Sequence, residues 1–515
     1  MQKLPIGIQT FARIREEGYL YVDKTEQIHR LVTSGGYFFL SRPRRFGKSL
    51  TLSTIKEMYS GSRDLFKGLW IENRWDWDKI HPVVHIQFNA IGYASNGLEY
   101  ALNSVIDDEA KTHHIELEKT GQDQRFLELL QKLTAKKGKV VLLIDEYDKP
   151  LIDYLEKEDL PIAFAHQKIL KNFYSIIKSA DPYIELLVIT GVSKFSKVSI
   201  FSDLNNLDDI TLDENIADLV GYTQAELEHF FDAWINYTLE KYTDFSRESL
   251  LELIKKWYNG YSWDGQVRVY NPFSILSFFK KRSFEDYWFK TGTPTFLIKK
   301  MAEARYYNLN TIHTNTTLFE SYTLDNLDIT ALLFQTGYLT IKEWNHLRGT
   351  LVLDYPNQEV ERALSNHLLG ALTHKSSNQV TIPVVQLETA FVQNEPEQVA
   401  VIINAMLKGV PSLLLANQDE HFYHALVHLH FRYLGFFIES EVQTSDGRMD
   451  AVVHTPERIF ILEFKINESA AVALEQIKTK NYAARFKTSG KEIIGLGINF
   501  NTEKRCVDDW ATQHL

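Results

Sequence analysis

The residues best suited to chemistry fall into two groups, one near each end of the 515-residue chain. The first comprises Arg42, Pro43, Arg44, Arg45, Phe46, Gly47, Lys48 and Ser49, set directly after an apolar run at 37–40 and before a helical run at 50–59. Strand, loop and helix in that order aim backbone N–H groups at a bound phosphate. In such a loop Lys48 reaches the β- and γ-phosphates and the Ser49 hydroxyl holds Mg²⁺. Arg42 stands where the usual pattern has its first glycine, so the match is incomplete, and a chance Gly-Lys-Ser is the plain alternative. A later apolar run, 139–144, ends in Asp145 and Glu146. Asp145 at a strand tip suits outer-shell Mg²⁺ binding, and Glu146 suits polarising an attacking water. Two acids capping a buried strand are the bland reading of that pair. Together, in this order, the two motifs point to a site for ATP with Mg²⁺. Thr190 follows a further run at 186–189 and either senses a γ-phosphate or simply ends a strand. Arg44, Arg45, Lys194 and Lys197 can complement phosphate charge or sit as solvated surface, and none is singled out as an arginine finger.

The second group is Asp450, Glu463 and Lys465, with Glu420 and Gln476 on flanking helical runs. Side chains alternate along a strand, so Glu463 and Lys465 share a face and Phe464 takes the other. If the Asp450 strand pairs with them as a hairpin, two carboxylates and an ammonium converge. Acids so placed hold Mg²⁺, or Mn²⁺, for phosphodiester hydrolysis, and Lys465 orients water or neutralises developing charge. Glu420 can orient a metal-bound water, and Gln476 with Tyr482 can contact a DNA strand or brace the acids. The triplet alone is weak: Glu109, Ala110 and Lys111 have the same form in a helical stretch and receive no role. A buried ion cluster is the alternative for the C-terminal set. His424, His428 and His430 have metal-like spacing, but packing or phosphate contact is the better reading.

The elements needed to position these groups are legible in the pattern. Apolar runs at 37–40, 83–88, 140–144 and 186–189, spaced by helical stretches, predict a parallel sheet covered on both faces. Helices rich in aromatics, such as 226–235 and 250–258, follow from about 212 to 340. From 416 the order reads helix 420–433, strand 437–442, a turn at 445–447, strands 449–454 and 459–465, helix 471–484 and strand 493–498. The expected divisions are a nucleotide-binding core at 1–211, a helical lid at 212–340, a mixed connection at 341–415 and a C-terminal domain at 416–515.

On these motifs the chain resembles the AAA-ATPase-like family widespread in bacteria. The matching stretches are Tyr21-Val-Asp-Lys-Thr25, the loop from Arg42 to Ser49, Leu143-Ile-Asp-Glu-Tyr-Asp148, Thr190-Gly-Val-Ser-Lys-Phe195 and Phe201-Ser-Asp-Leu-Asn-Asn-Leu207. Others are Tyr258-Asn-Gly-Tyr261, Tyr270-Asn-Pro272, Thr291-Gly292 and Gln335-Thr-Gly-Tyr-Leu-Thr340. The resemblance makes Arg42 a family feature. It implies an α/β fold: a P-loop NTPase parallel sheet with a helical lid. The C-terminal region is similar to PD-(D/E)XK nucleases, of αβββαβ order, on Glu420-His-Phe-Tyr-His424, Asp446-Gly-Arg-Met-Asp450, Ile461-Leu-Glu-Phe-Lys465, Leu474-Glu-Gln-Ile477 and Gly495-Leu-Gly-Ile498. Two functions follow as expectations. One is an ATP-gated nuclease acting on DNA or RNA, DNA in preference, in defence against foreign nucleic acid. The other is a signalling-type ATPase whose nuclease-like domain only binds. AAA-like modules often assemble, which makes a homo-oligomer compatible, but no residue fixes a number.

Composition agrees with this frame. Hydrophobic residues are 44% and charged residues 24%, as in ordinary globular proteins. The net charge of −11 excludes a histone-like coating of DNA but not a local basic strip. Cys506 is the single cysteine, which excludes an intrachain disulfide and a cysteine-based zinc site. No run reaches the ~18 apolar residues of a membrane span, so a cytoplasmic location is expected.

Overall fold

Runs of four to eight consecutive apolar residues bury both faces of a strand, which only a sheet flanked by helices can satisfy. The computed structural model realises this pattern. It describes residues 1–194, 200–201, 204–289, 295–304, 306, 309, 311–319, 324, 327–373, 377–408, 429, 438–444 and 447–515. Two compact units emerge: Met1–Thr291 with Asn310–Asn357, and Gly292–Leu309 with Gln358–Leu515.

The first unit is built on five parallel strands, β1 (Gly36–Ser41), β2 (Val83–Gln87), β3 (Val140–Asp145), β4 (Ile184–Gly191) and β5 (Leu207–Asp209), in the order β2-β3-β4-β1-β5. The four strands expected from the apolar runs are present, and the three-residue β5 adds an edge. Every residue of β3 is buried, whereas the edge strand β2 alternates. The order inserts β4 between β1 and β3, which brings Thr190 between the phosphate-loop strand and the strand ending in Asp145. Helices from 224 to 281 share a separate core of Leu227, Phe231, Ile254, Tyr258 and Phe278, into which Leu20 and Val22 also pack. The unit also contains an antiparallel sheet of β6 (Ile312–Asn315), β7 (Thr340–Asn345) and β8 (Thr350–Asp354), ordered β6-β8-β7.

In the second unit, β9 (Ile438–Thr444), β10 (Gly447–His454) and β11 (Arg458–Ile466) form an antiparallel meander, and β12 (Glu492–Asn501) lies parallel to β11. The helix Ala470–Thr479 connects these last two and packs on both. It ends sooner than the sequence pattern predicts. Asn481 adopts a left-handed backbone, φ 46°, which asparagine tolerates, and a short 3₁₀ turn Tyr482–Phe486 follows. A further strand, β13 (Cys506–His514), pairs antiparallel with β12 and closes the sheet as β13-β12-β11-β10-β9. The helix expected at 420–433, with Glu420 and the three histidines, lies outside the described residues apart from Leu429.

Candidate functional site

At the C-terminal ends of β1, β3 and β4, a cleft of about 410 Å³ opens, lined by Arg44, Arg45, Gly47, Lys48, Ser49 and Glu146. Loop geometry depends on two left-handed residues, Arg45 at φ 67° and Gly47 at φ 100°. Gly47 caps the helix Lys48–Tyr59, so the cleft meets a helix N-terminus, where unsatisfied N–H groups and the helix dipole favour an anion. The Lys48 ammonium is buried and donates to the carbonyls of Arg42 (2.8 Å) and Pro43 (3.0 Å). Burial lowers its pKa, and Asp145, Glu146 and Asp148 work in the opposite direction.

Asp145 and Thr190 are buried and do not line the cleft. Thr190 Oγ1 donates to Asp145 Oδ1 at 2.6 Å, while Asp145 Oδ2 is buried without a hydrogen-bond partner among the described residues. A buried carboxylate oxygen left open beside a hydroxyl-held one fits a hydrated Mg²⁺. Glu146 takes a left-handed backbone, φ 55°, unusual for a side chain of its size. Strain of that kind persists where surroundings over-determine the conformation, as at catalytic positions. Burial raises its carboxyl pKa, with Lys48 pulling the other way.

Two of the expected loop residues face elsewhere. The Arg42 guanidinium is buried, lies 4.1 Å over the Trp263 ring, and donates to the carbonyls of Ser41 (2.9 Å) and Thr211 (2.6 Å). Burial holds its pKa below the usual arginine value, with Asp209 and Asp264 opposing. Phe46 packs edge-on against Tyr261 and Trp263. Neither side chain lines the cleft: both anchor the loop, which leaves the backbone of these two residues as what they can offer a phosphate. Lys194 pairs with Asp209 at 2.9 Å, and Lys197 lies outside the described residues.

Asp148 was not singled out from sequence, although it closes the Leu143–Asp148 motif. It is buried, and its Oδ2 accepts from Val192 N–H (2.9 Å), Ser193 N–H (2.7 Å) and Ser193 Oγ (2.7 Å). This fastens the segment after β3 to the segment after β4. A side chain at Gly191 would collide with Tyr147 and Asp148, which explains glycine there. Asp148→Ala strands two buried N–H groups at about 1–3 kcal/mol each. A clear fall in the thermal midpoint is therefore expected by calorimetry, and an unchanged midpoint would remove Asp148 as the fastener.

The second constellation forms on β10, β11 and the helix Ala470–Thr479. Ala451 lies opposite Leu462, and the register carried one step further sets Asp450 opposite Glu463. Asp450 Oδ2 accepts from Phe464 N–H at 2.8 Å. Glu463 is buried, and its Oε1 accepts from Lys465 Nζ (3.4 Å) and from the Gln476 amide. Lys465 Nζ also donates to Gln476 Oε1 at 2.7 Å. Gln476 can reach across because Gly495 and Gly497 on β12 leave room for its helix: a side chain at Gly497 would strike Ala470 and Ala473. Tyr482 interacts with Gln476, and burial raises its phenol pKa. Among the described residues no cluster of three or more potential metal ligands occurs. Two carboxylates fit Mg²⁺, which keeps several waters and takes further oxygens from substrate phosphate.

These features define a P-loop NTPase sheet joined to a PD-(D/E)XK-type mixed sheet. Residues 5–201 match the family described as Predicted AAA-ATPase, and residues 418–510 match the PD-(D/E)XK nuclease superfamily. The chain is 37% identical over 527 residues to an uncharacterized protein in the vnfD 5' region of Azotobacter chroococcum mcd 1, covering 100% of this chain and 99% of that protein. The chain belongs to the AAA-ATPase-like family, with a PD-(D/E)XK nuclease-superfamily domain at its C-terminus. Among solved structures, the ORC2 protein of Aeropyrum pernix, in ADPNP–ADP complexes, is 11% identical at a TM-score of 0.29, covering 68% of this chain and 92% of that one. Cdc6p from Pyrobaculum aerophilum is 10% identical at 0.27, covering 68% and 94%. Overlaps that low carry no argument. No helix among the described residues is long and apolar enough to cross a membrane.

Proposed function

We propose that the cleft of the first unit binds and hydrolyses ATP, and that nucleotide state controls a metal-dependent nuclease at Asp450, Glu463 and Lys465. Ser49 and Asp145 are the residues suited to Mg²⁺, Glu146 to the attacking water and Lys48 to the phosphates. At the C-terminal site, a divalent ion held by Asp450 and Glu463 would supply charge to activate water and steady a leaving oxygen. Lys465 contributes a fixed ammonium at the same place, oriented by Gln476.

The observation that carries the control reading is the grip on the phosphate loop. The Trp288 indole N–H donates to the Arg44 carbonyl at 3.2 Å, three residues before the chain leaves the first unit at Thr291. Gly221 N–H donates to the Phe46 carbonyl at 3.2 Å, and the Arg45 guanidinium lies 3.9 Å over Phe273. Lys194 N–H donates to Gln335 Oε1 at 3.0 Å, which ties the end of β4 to the helix Ile329–Thr336. A change in the loop on phosphate binding would act on these contacts, and Trp288 stands in the stretch of chain that leads toward the second unit. A tenfold shift in nuclease activity needs only about 1.4 kcal/mol of differential nucleotide affinity. Restraint of this kind suits an enzyme in the cytoplasm that cuts foreign nucleic acid and must spare its host.

The test is a plasmid cleavage time course with ATP, ADP or no nucleotide at fixed free Mg²⁺. Rates should differ among the three, and Trp288→Phe, which keeps a ring but loses the N–H, should narrow the difference. Identical rates for the wild type in all three conditions would reject control while leaving both sites standing. Nucleic-acid binding with no cleavage under any condition would favour the binding-only alternative.

A further inference from the structure

The chain between Gln476 and Lys491 contains five basic residues, Lys478, Lys480, Arg485, Lys487 and Lys491, and no acid, in a protein with 67 acidic and 56 basic residues. Its shape separates the charges from the core. Tyr482, Ala483 and Phe486 are buried together with Val452, Ile459 and Ile461. Lys478, Lys480, Arg485 and Lys487 are exposed. Lys480 N–H donates to the Gln476 carbonyl at 3.0 Å, so Lys480 stands one helical turn beyond the glutamine that holds Glu463 and Lys465. Tyr482, two residues further, interacts with Gln476 from the 3₁₀ turn. Among the described residues Lys478, Lys480 and Lys487 form no ion pair, whereas Lys491 spends its ammonium on the Thr455 carbonyl at 2.6 Å. Of these three uncommitted ammonium groups, Lys480 stands one turn from the carboxylate site, and Lys478 and Lys487 flank it along the chain.

Resting on the nuclease reading above, we propose that Lys478, Lys480 and Lys487 form the track that holds the phosphodiester backbone of a DNA strand as it enters the Asp450–Glu463–Lys465 site. Ammonium groups on a rigid, core-anchored turn contact phosphates without reading bases, so binding is independent of sequence and strongly dependent on salt. This explains how an acidic protein engages a polyanion: repulsion from the bulk is offset where the strand must lie.

The test measures binding of a fluorescein-labelled DNA duplex to the full chain by anisotropy across a salt series, with Ca²⁺ replacing Mg²⁺ to hold back cutting. Each phosphate contact contributes about 0.9 to the slope of log affinity against log salt. The triple variant Lys478→Gln, Lys480→Gln, Lys487→Gln should flatten that slope by about 2 to 3 and weaken binding at least about tenfold at low salt. Lys487→Gln alone should flatten it by about 1. ATP hydrolysis and the thermal midpoint should match the wild type. Equal slopes and affinities for wild type and triple variant overturn the track. If that wild type also binds DNA, and cuts it once Mg²⁺ is restored, the nuclease reading survives its loss. A wild type that neither binds nor cuts overturns both. Tighter binding of an RNA duplex of the same sequence through the same lysines overturns the choice of DNA.

Discussion

Glu146→Gln is expected to leave nucleotide binding intact and to lower ATP turnover by about 10²–10⁴-fold, the usual contribution of a positioned base. The substitution keeps the size of the side chain and its left-handed backbone while removing the proton acceptor. The residue that follows anchors the position, since Tyr147 N–H donates to the Thr190 carbonyl at 3.0 Å. A base acts only when deprotonated, and burial raises the Glu146 pKa above the ordinary 4.5. The acidic limb of the wild-type rate profile should accordingly lie above that of an ordinary glutamate, with the rate rising as pH increases through it. The glutamine variant should lack that limb in its residual rate. Lys48→Ala is the complementary variant. It removes a buried ammonium worth about 1.5–3 kcal/mol in a charge-assisted hydrogen bond, so nucleotide affinity should fall roughly 10- to 100-fold. Fluorescent-nucleotide titration and phosphate-release assays separate the two effects. Equal nucleotide affinity in wild type and Lys48→Ala would falsify the phosphate-loop assignment.

The parts of the molecule that could be read from sequence are those whose signal is local. Three central strands, β1, β3 and β4, announced themselves as apolar runs because both faces are covered, whereas the edge strand β2 alternates. Glu463 and Lys465 could be assigned to one face from the two-residue period alone, and both now contact Gln476. The short β5 has three residues and no comparable run. Strand β13 is also weakly marked, because it is an edge strand with only Val507 buried. Its backbone is satisfied partly by a side chain far away in sequence: Asn404 donates to the Val507 carbonyl at 2.9 Å and accepts from its N–H at 2.6 Å. The same distance in sequence hid the role of Arg42. Nothing local marks where its side chain goes, because the guanidinium's neighbours, Thr211 and Trp263, are more than 160 residues away. Asp148 was equally obscure, since its partners Val192 and Ser193 become neighbours only once β3 and β4 pair.

Glu463→Ala and Asp450→Ala should each reduce metal-dependent cleavage by about 10³-fold or more, with ATP hydrolysis unchanged. Glu463 is the acceptor on which the local network converges, receiving both the Lys465 ammonium and the Gln476 amide. Its removal takes away one of the two carboxylates proposed to hold the metal and also leaves those two donors without their shared anion. Asp450 acts differently. Its Oδ2 is fixed by the Phe464 N–H, so the carboxylate is already aimed before any ion or substrate arrives. Preorganised groups of this sort need little rearrangement as charge develops, which is why losing one is costly. Lys465→Ala should separate binding from chemistry: Mn²⁺ affinity, followed by calorimetric titration, should remain close to wild type while cleavage falls about 10²–10³-fold. If Lys465→Ala instead lost metal affinity in step with cleavage, its role would be to position Glu463 through Gln476. Cleavage that persists in a clean preparation of Asp450→Ala would place the activity at another site altogether.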